Sequence, residues 1–244
     1  MNDRYQEQWE RLGAHDPYWA VLTDPRKKGG RWDKEEFFAT GREEIEQLLK
    51  NLADLGVKHH AGTALDFGCG VGRLCRALSD HFTRVIGVDI SQAMLDEARA
   101  AHRDIANIEF VYNIAADLGC IPSATIDLVY SNIVLQHMPP AQQLSYINEF
   151  ARIVRPGGVV VFQTPDRYDL HTLNGWIHLL AGNRILNIAR RAIHGKNGVV
   201  EVHPLAQRDI LAALAAGGMA VREIEQYETT GRGFRSYRYY AMKR

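Results

Sequence analysis

An excess of charge of one sign is missing from this sequence: 29 Lys and Arg are matched by 29 Asp and Glu. A chain that lives on phosphate contacts usually carries a basic excess, so no nucleic-acid partner is expected. Cysteine is scarce. Cys69, Cys75 and Cys120 are an odd number with no C-x-x-C pair, which fits neither a disulfide framework nor a structural zinc site. No metal is expected, and buried or loop thiols in a reducing compartment account for them. No apolar run approaches the roughly 20 residues of a membrane span. The first residues, Met1 to Glu7, do not have the basic-then-apolar layout of a secretory leader. The expectation is a cytoplasmic protein without stable membrane insertion. Repeats and low-complexity tracts are absent too. What remains, 46% apolar and 24% charged residues over 244 positions, suits one larger α/β domain or one domain with insertions.

The first 34 residues read as an irregular aromatic extension, with Tyr5, Trp9, Tyr18, Trp19 and Trp32 punctuated by Pro17, Pro25 and Gly29-Gly30. Helical spacing of Phe38, Ile45, Leu48, Leu49, Leu52 and Leu55 follows, stopped by Gly56. Strands then alternate with helices. Strands are expected at 63–67, 84–89, 108–112, 126–131 and 159–163, and helices at about 72–79, from Ser91 onward, and at 141–154. That alternation means a parallel sheet with crossover helices. The rhythm fails from about 166 to 203, an insertion with one helical stretch expected at 176–193. It resumes with a helix at 204–216 and strands at about 220–227 and 236–242. The glycine-rich link between those last strands is too short for a crossover, so they form an antiparallel hairpin. The expected architecture is a seven-stranded α/β sheet, parallel except for its last strand, with helices on both faces.

The sharpest motif is Asp66-Phe67-Gly68-Cys69-Gly70-Val71-Gly72, closing the first strand and opening a helix. Glycines there let the chain turn tightly and a ligand approach the main chain. A dinucleotide fingerprint, G-x-G-x-x-G, would put its third glycine at Arg73. Asp66 beside a pyrophosphate would repel it, whereas beside an ammonium or sulfonium it attracts. A Walker lysine is absent. The ligand expected is a nucleoside with positive charge and no pyrophosphate. Asp89, ending the second strand, stands where an acid accepts both ribose hydroxyls; capping the next helix is its bland alternative, for which Ser91 is better placed.

These stretches, with Val85-Ile86-Gly87-Val88-Asp89-Ile90-Ser91, Ile126-Asp127-Leu128-Val129-Tyr130-Ser131 and Arg155-Pro156-Gly157-Gly158-Val159-Val160, resemble the class I S-adenosylmethionine-dependent methyltransferases, of the small-molecule type met in bacterial biosynthesis. The resemblance covers about residues 35–165. It implies a Rossmann-like fold, S-adenosylmethionine as donor and S-adenosylhomocysteine as product. By the same resemblance Asp66, Gly68, Cys69, Gly70 and Gly72 line the methionine part, Asp89 holds the ribose, and Ile90 and Met94 flank the adenine. Asn132 and Val134 lie where cofactor meets acceptor. The family often has Gly-Asp-Ala after the third strand. Here Ile114 takes the place of the acid, leaving Ala115, Ala116 or Asp117 to serve the adenine.

The family's amino-directed nucleic-acid branch carries Asp/Asn-Pro-Pro-Tyr/Phe after strand four. This chain reads Asn132-Ile133-Val134-Leu135, so a small-molecule acceptor, methylated at oxygen, is the expectation. A peptide or carrier-bound acceptor, or a cofactor-binding partner without catalysis, stays open. Two histidines are candidate bases, His203 before the last crossover helix and His137 after strand four; the alternative for His137 is a loop residue bonded to backbone, and for His203 a polar residue at the amino end of a helix. Phe38 and Gly41, with the 1–34 extension, are expected to cover the cofactor. The insertion is expected either to touch the acceptor with its apolar side, its basic side holding an anionic acceptor or carrier, or to pack on the core as a solvated helix; a membrane-surface role is the weaker alternative, since no second signal accompanies it.

Overall fold

A computed structural model describes residues 3–57, 60–180, 201–227 and 233–244. Its strands are β1 (Thr63–Phe67), β2 (Arg84–Asp89), β3 (Ile108–Tyr112), β4 (Ile126–Ser131), β5 (Val154–Tyr168), β6 (Met219–Gln226) and β7 (Phe234–Lys243). They form one sheet in the order β3-β2-β1-β4-β5-β7-β6. Strands β1 to β5 pair in parallel, while β7 runs antiparallel between β5 and β6. The chain winds outward from β1 to β3 and then returns to place β4 on the other side of β1. That reversal opens a crevice at the carboxyl ends of β1 and β4, the usual ligand position in such sheets.

Alternation along each strand divides the core. Leu65, Phe67, Ile86, Val88, Val129 and Phe162 point to the face covered by α6 (Pro140–Ile153) and α8 (Gln207–Ala216). Ala64, Val85, Leu128, Val159 and Val161 point to the opposite face, against α3 (Lys34–Asp54), α4 (Arg73–Ser79) and Leu95 of α5 (Gln92–Ala101). Both faces are thus apolar, as a parallel sheet with two helical layers requires.

The extension is not irregular. Residues Asp3–His15 and Pro17–Val21 form helices α1 and α2. Tyr5, Trp9 and Leu12 repeat at helical spacing, and the prolines and glycines that suggested irregularity lie at or beyond the ends of α1. Leu12, Tyr18 and Ala20 pack with Phe37, Phe38, Val71 and Met94 into a third apolar cluster.

Strand β5 outruns its expected end at Gln163 because β7 stays paired with it as far as Tyr168↔Phe234; Pro165 is tolerated where the register slips. The insertion therefore starts later than position 166. Residues 173–180 are helical and are numbered α7; the rest of the helix expected at 176–193 lies outside the described residues, as does most of the β6–β7 link.

Candidate active site

The crevice is a cavity of about 800 Å³. Its floor is the loop after β1. Gly68 has φ +76°, and a Cβ there would sit 2.4 Å from a Val134 methyl, so glycine alone fits both the turn and the close approach of the loop after β4. Gly70 donates its N–H to Asp89 Oδ2 at 2.8 Å, and Ser91 donates its own to Oδ1 at 2.9 Å. Asp89 thereby ties the loop to β2 with one lone pair of each oxygen and retains others for a diol. Burial pushes its carboxyl up, against the backbone N–H groups that favour the charged form. Ser91 caps α5, accepting from Met94 N at 3.2 Å.

Asp66, Gly68, Cys69, Gly70, Asp89, Ile90 and Met94 all line this cavity, joined from the loop after β4 by Asn132, Val134 and His137. Asp66 is wholly buried, and burial moves its carboxyl up to about 7, opposed first by the Cys75 thiol, which donates to Oδ2 at 3.3 Å. Cys69, pushed to about 11 by burial, stays a thiol. Asn132 donates Nδ2 to Glu44 at 2.6 Å, which leaves Oδ1 buried, with no partner among the described residues.

Other expected residues lie elsewhere. Gly72 does not line the cavity; it holds φ +78° as the N-cap of α4 beside His102. Phe38 is buried against Tyr18, Phe37 and His102. Gly41 lets α3 cross α4, since a Cβ would stand 2.5 Å from the Arg73 carbonyl oxygen. Neither reaches the cavity. Ala115 and Ala116 spend their carbonyls on the hydroxyls of Tyr146 and Ser145, and Asp117 accepts from Gly119 N. Asn113, not these three, lines the wall after β3.

The two histidines come together through the backbone. His203 N donates to Gln136 O at 2.8 Å, His137 Nδ1 donates to Glu201 O at 2.9 Å, and Gln143 Nε2 donates to the carbonyls of both Met138 and His203. Burial pushes His137 down to about 4, so it is neutral at physiological pH, with Nε2 3.1 Å from the Gln136 amide. His203 does not line the cavity. Its Nε2 lies 3.2 Å from Tyr5 Oη and 3.3 Å from Glu201 Oε2, and Tyr5 does line it. Burial lowers the His203 imidazole, and Glu201 pulls the other way.

Sequence reasoning singled out the extension but not its individual contributions. Tyr5 and Trp9 of α1, Leu22 and Trp32 form cavity wall, and Trp9 meets His137 edge-on at 5.5 Å. Glu10 accepts from Ser91 Oγ at 2.8 Å and from Ala93 N at 3.2 Å, adding a carboxylate to the amino end of α5. Glu44 was missed as well. It binds Arg73 at 2.7 Å and accepts from Tyr130 Oη at 2.7 Å, and Arg73 and its neighbours hold its carboxyl low against the cost of burial. The i, i+4, i+7 spacing in α1 was a usable signal; nothing local marks Glu44, whose partners are remote in sequence.

A doubly wound sheet with an acid at the end of β2 and a glycine loop without the dinucleotide spacing is an arrangement suited to a nucleoside. Comparison agrees. Residues 64–158 match the family described as "Methyltransferase domain". The chain is 33% identical over 165 residues to a trans-aconitate 2-methyltransferase of Azoarcus sp. (strain BH72), covering 64% of this chain and 62% of that protein. It is 26% identical over 178 residues, 72% of each chain, to a ubiquinone biosynthesis O-methyltransferase of Saccharophagus degradans. A malonyl-[acyl-carrier protein] O-methyltransferase of Serratia marcescens is 31% identical over 57% of this chain and 52% of its own. The chain thus spans about three-fifths of the first of these relatives and about half of the last. Among solved structures, magnesium protoporphyrin IX methyltransferase from Synechocystis PCC 6803 with bound S-adenosylhomocysteine superposes with a TM-score of 0.64 over 100% of both chains at 20% identity, which speaks for the fold. Residues 64–158 thus match a methyltransferase domain, in a chain that has the fold of the class I methyltransferases.

The residues present fit S-adenosylmethionine. Asp89 suits the ribose diol, and the orphaned Asn132 Oδ1 with buried Asp66 suits an ammonium group.

Proposed function

We propose that this protein transfers a methyl group from S-adenosylmethionine to a hydroxyl of a small, uncharged acceptor with an aromatic or apolar body. The observation that supports it is the continuity of one cavity from Asp89 to the aromatic wall made by Tyr5, Trp9, Trp32 and Tyr146. The relatives' names span quite different acceptors, so the wall has to choose. Among the described residues, the wall's one Arg or Lys is Arg73, and Glu44 neutralises it. An anionic acceptor would find no free partner on this wall.

When bound, the donor supplies a methyl on a sulfonium, taken in line by the acceptor oxygen. The chain's part is to bind, orient, exclude water and manage one proton. Helices α1 and α2 close the cavity over the glycine loop. Tyr5 touches the acceptor, and its phenol passes the acceptor's proton toward His203 and Glu201. With Nε2 unprotonated His203 accepts from Tyr5; once protonated it donates to Glu201. His137 is the weaker candidate, since its Nε2 is engaged and its basicity low. The reaction belongs in the cytoplasm, where the donor is made.

Titration calorimetry tests the donor. Asp89→Ala should lose charge-assisted bonds of about 1.5–3 kcal/mol each and weaken S-adenosylmethionine binding at least about tenfold; unchanged affinity in a folded mutant sinks the assignment. Single-turnover transfer from labelled donor into an acceptor drawn from pooled phenols tests the base. Tyr5→Phe and His203→Ala should each slow transfer by roughly 10²–10⁴ with donor affinity intact. Because burial lowers the His203 imidazole, the acid limb of the rate profile should fall below the usual histidine range. Wild-type rates in both mutants would leave positioning alone as the mechanism.

A further inference from the structure

Between the loop after β4 and residues 201–203 runs a chain of amides whose direction is dictated at both ends. Ile133 holds φ +61°, a left-handed conformation that a β-branched residue adopts only under constraint. Its N–H donates to Gln163 Oε1 at 3.1 Å. A backbone N–H can only donate, so the oxygen of that amide is identified and its other atom is Nε2. Gln163 Nε2 then donates to Gln136 Oε1 at 3.2 Å and to Ser236 Oγ. Gln136 is left to present its Nε2 to His137 Nε2 at 3.1 Å. The far end is equally strict, because the Glu201 carbonyl, 2.9 Å from His137 Nδ1, can only accept. Both ends require the same imidazole, protonated at Nδ1 and bare at Nε2. Gln136 and Gln163 are 3% and 1% exposed, so water does not compete for these bonds.

A second amide works beside the first. Gln143 of α6, wholly buried, gives its amide hydrogens to Met138 O and His203 O and accepts from Thr164 Oγ1 at 2.8 Å. Residues 201–206 belong to no helix or strand. Their backbone is held instead at Glu201 O by His137, at His203 N by Gln136 O, and at His203 O by Gln143. Side chains thus supply what a ladder supplies elsewhere. Neither Gln163 nor Gln143 lines the cavity, whereas Ile133, Gln136 and His137 do.

We infer that Gln163 and Gln143 are positioning residues for methyl transfer: they fix the backbone of residues 201–203 through the loop after β4, and so hold Glu201 and His203 in line with Tyr5. This assignment rests on His203 as the group that accepts the proton. The choice of amides has a physical reason. Glutamine donates and accepts without carrying charge, so the device places no further ion near an imidazole that burial already lowers; a buried Lys or Glu in its place would move that imidazole again. The same chain reaches Ile133, next to Val134 on the cavity wall, and therefore sets the wall and the base at one fixed separation.

Long-range 15N–1H spectra of the ligand-free protein read the imidazoles directly. His137, assigned by its absence from His137→Asn, should be neutral at pH 7 with its proton on Nδ1. The rate test is single-turnover transfer from labelled donor into an acceptor drawn from pooled phenols. Gln163→Met and Gln143→Met, unbranched and without a donor, should each lower the maximal rate by about tenfold to a hundredfold. The half-saturating acceptor concentration should not change. In a His203→Ala background the same substitutions should cost nothing further, since the group they position is gone. A proton on His137 Nε2 overturns the inference. So do wild-type rates in both Met variants beside a slow His203→Ala, and so do losses that simply add in the double mutants, which would mark general loosening of the fold. His203→Ala at the wild-type rate overturns the reading of the base and this inference with it. The spectra need no acceptor, so the two failures are told apart.

Discussion

At the scale of single residues the site is governed by what burial does to charge. Asp66 sits under the glycine loop with its carboxyl raised to about 7, chiefly by loss of solvent. Its unfolded value is about 4, so the folded chain holds the proton more tightly. The stability Asp66 contributes is therefore complete below about pH 4 and is lost as pH rises through about 7. Asp66→Asn imitates the protonated form. Urea unfolding of the ligand-free protein should find the mutant more stable than wild type at pH 8, by on the order of a few kcal/mol, and no more stable at pH 4. The same substitution should weaken S-adenosylmethionine binding, because a neutral amide cannot answer a cation. Calorimetry in buffers of different ionisation enthalpy should show the wild type releasing a proton on binding near pH 7 and the mutant releasing none from this site. A mutant that is no more stable at pH 8, or binds the donor equally well, would show Asp66 to be ordinary loop scaffolding.

Elements position these residues by how closely they pack. Helix α3 meets α4 at Gly41, where a methyl group would lie 2.5 Å from the Arg73 carbonyl oxygen. The obstacle is backbone, which cannot swing aside. Gly41→Ala should cost about 1–3 kcal/mol by overpacking and lower the melting temperature by roughly 2–4 °C per kcal/mol, outweighing any gain in helix propensity. The shift would also move Arg73 relative to Glu44, whose carboxylate steadies Tyr130 and Asn132. Donor affinity should then fall together with stability, and calorimetry of the folded mutant reads that second effect. An Ala variant as stable as wild type would mean that α3 and α4 can part freely. Helix α1 works in the other direction: Glu10 and Leu12 fasten it to α5 and the aromatic cluster, so the Tyr5 phenol reaches the cavity from a fixed base.

For the whole molecule, the cavity is shared among the sheet edge, the N-terminal helices and the segment before α8, and a ligand that fills it holds all three together. Binding to the folded state alone stabilises by about 2.7 kcal/mol at a hundredfold excess over Kd. S-adenosylhomocysteine at that excess should accordingly raise the melting temperature by roughly 5–11 °C. NAD should leave it unchanged, because Asp66 faces the place of a pyrophosphate and Arg73 replaces the glycine that a dinucleotide loop requires. Scanning fluorimetry with both ligands checks this, and an equal shift with NAD would contradict the donor assignment.

The chain by itself determined the alternation of strands and helices, the Asp66–Gly72 loop and the acid at Asp89, because these depend on periodicity and on backbone conformations that few residues adopt. The antiparallel last strand was equally legible, since a link that short permits nothing else. The helical character of α1 was present in the spacing of Tyr5, Trp9 and Leu12 but obscured by the prolines and glycines beyond it. Tertiary structure alone decided which side of a helix a residue faces and which remote residues it meets. It took Phe38 and Gly41 out of the cavity and into packing, gave Glu44 to Arg73, and set Tyr5 beside His203. It also left Leu173, Trp176, Ile177 and Leu180 of α7 exposed. Local pattern fixes the period of an apolar face. Its direction is set by the surfaces available to receive it, and those are assembled from distant parts of the chain.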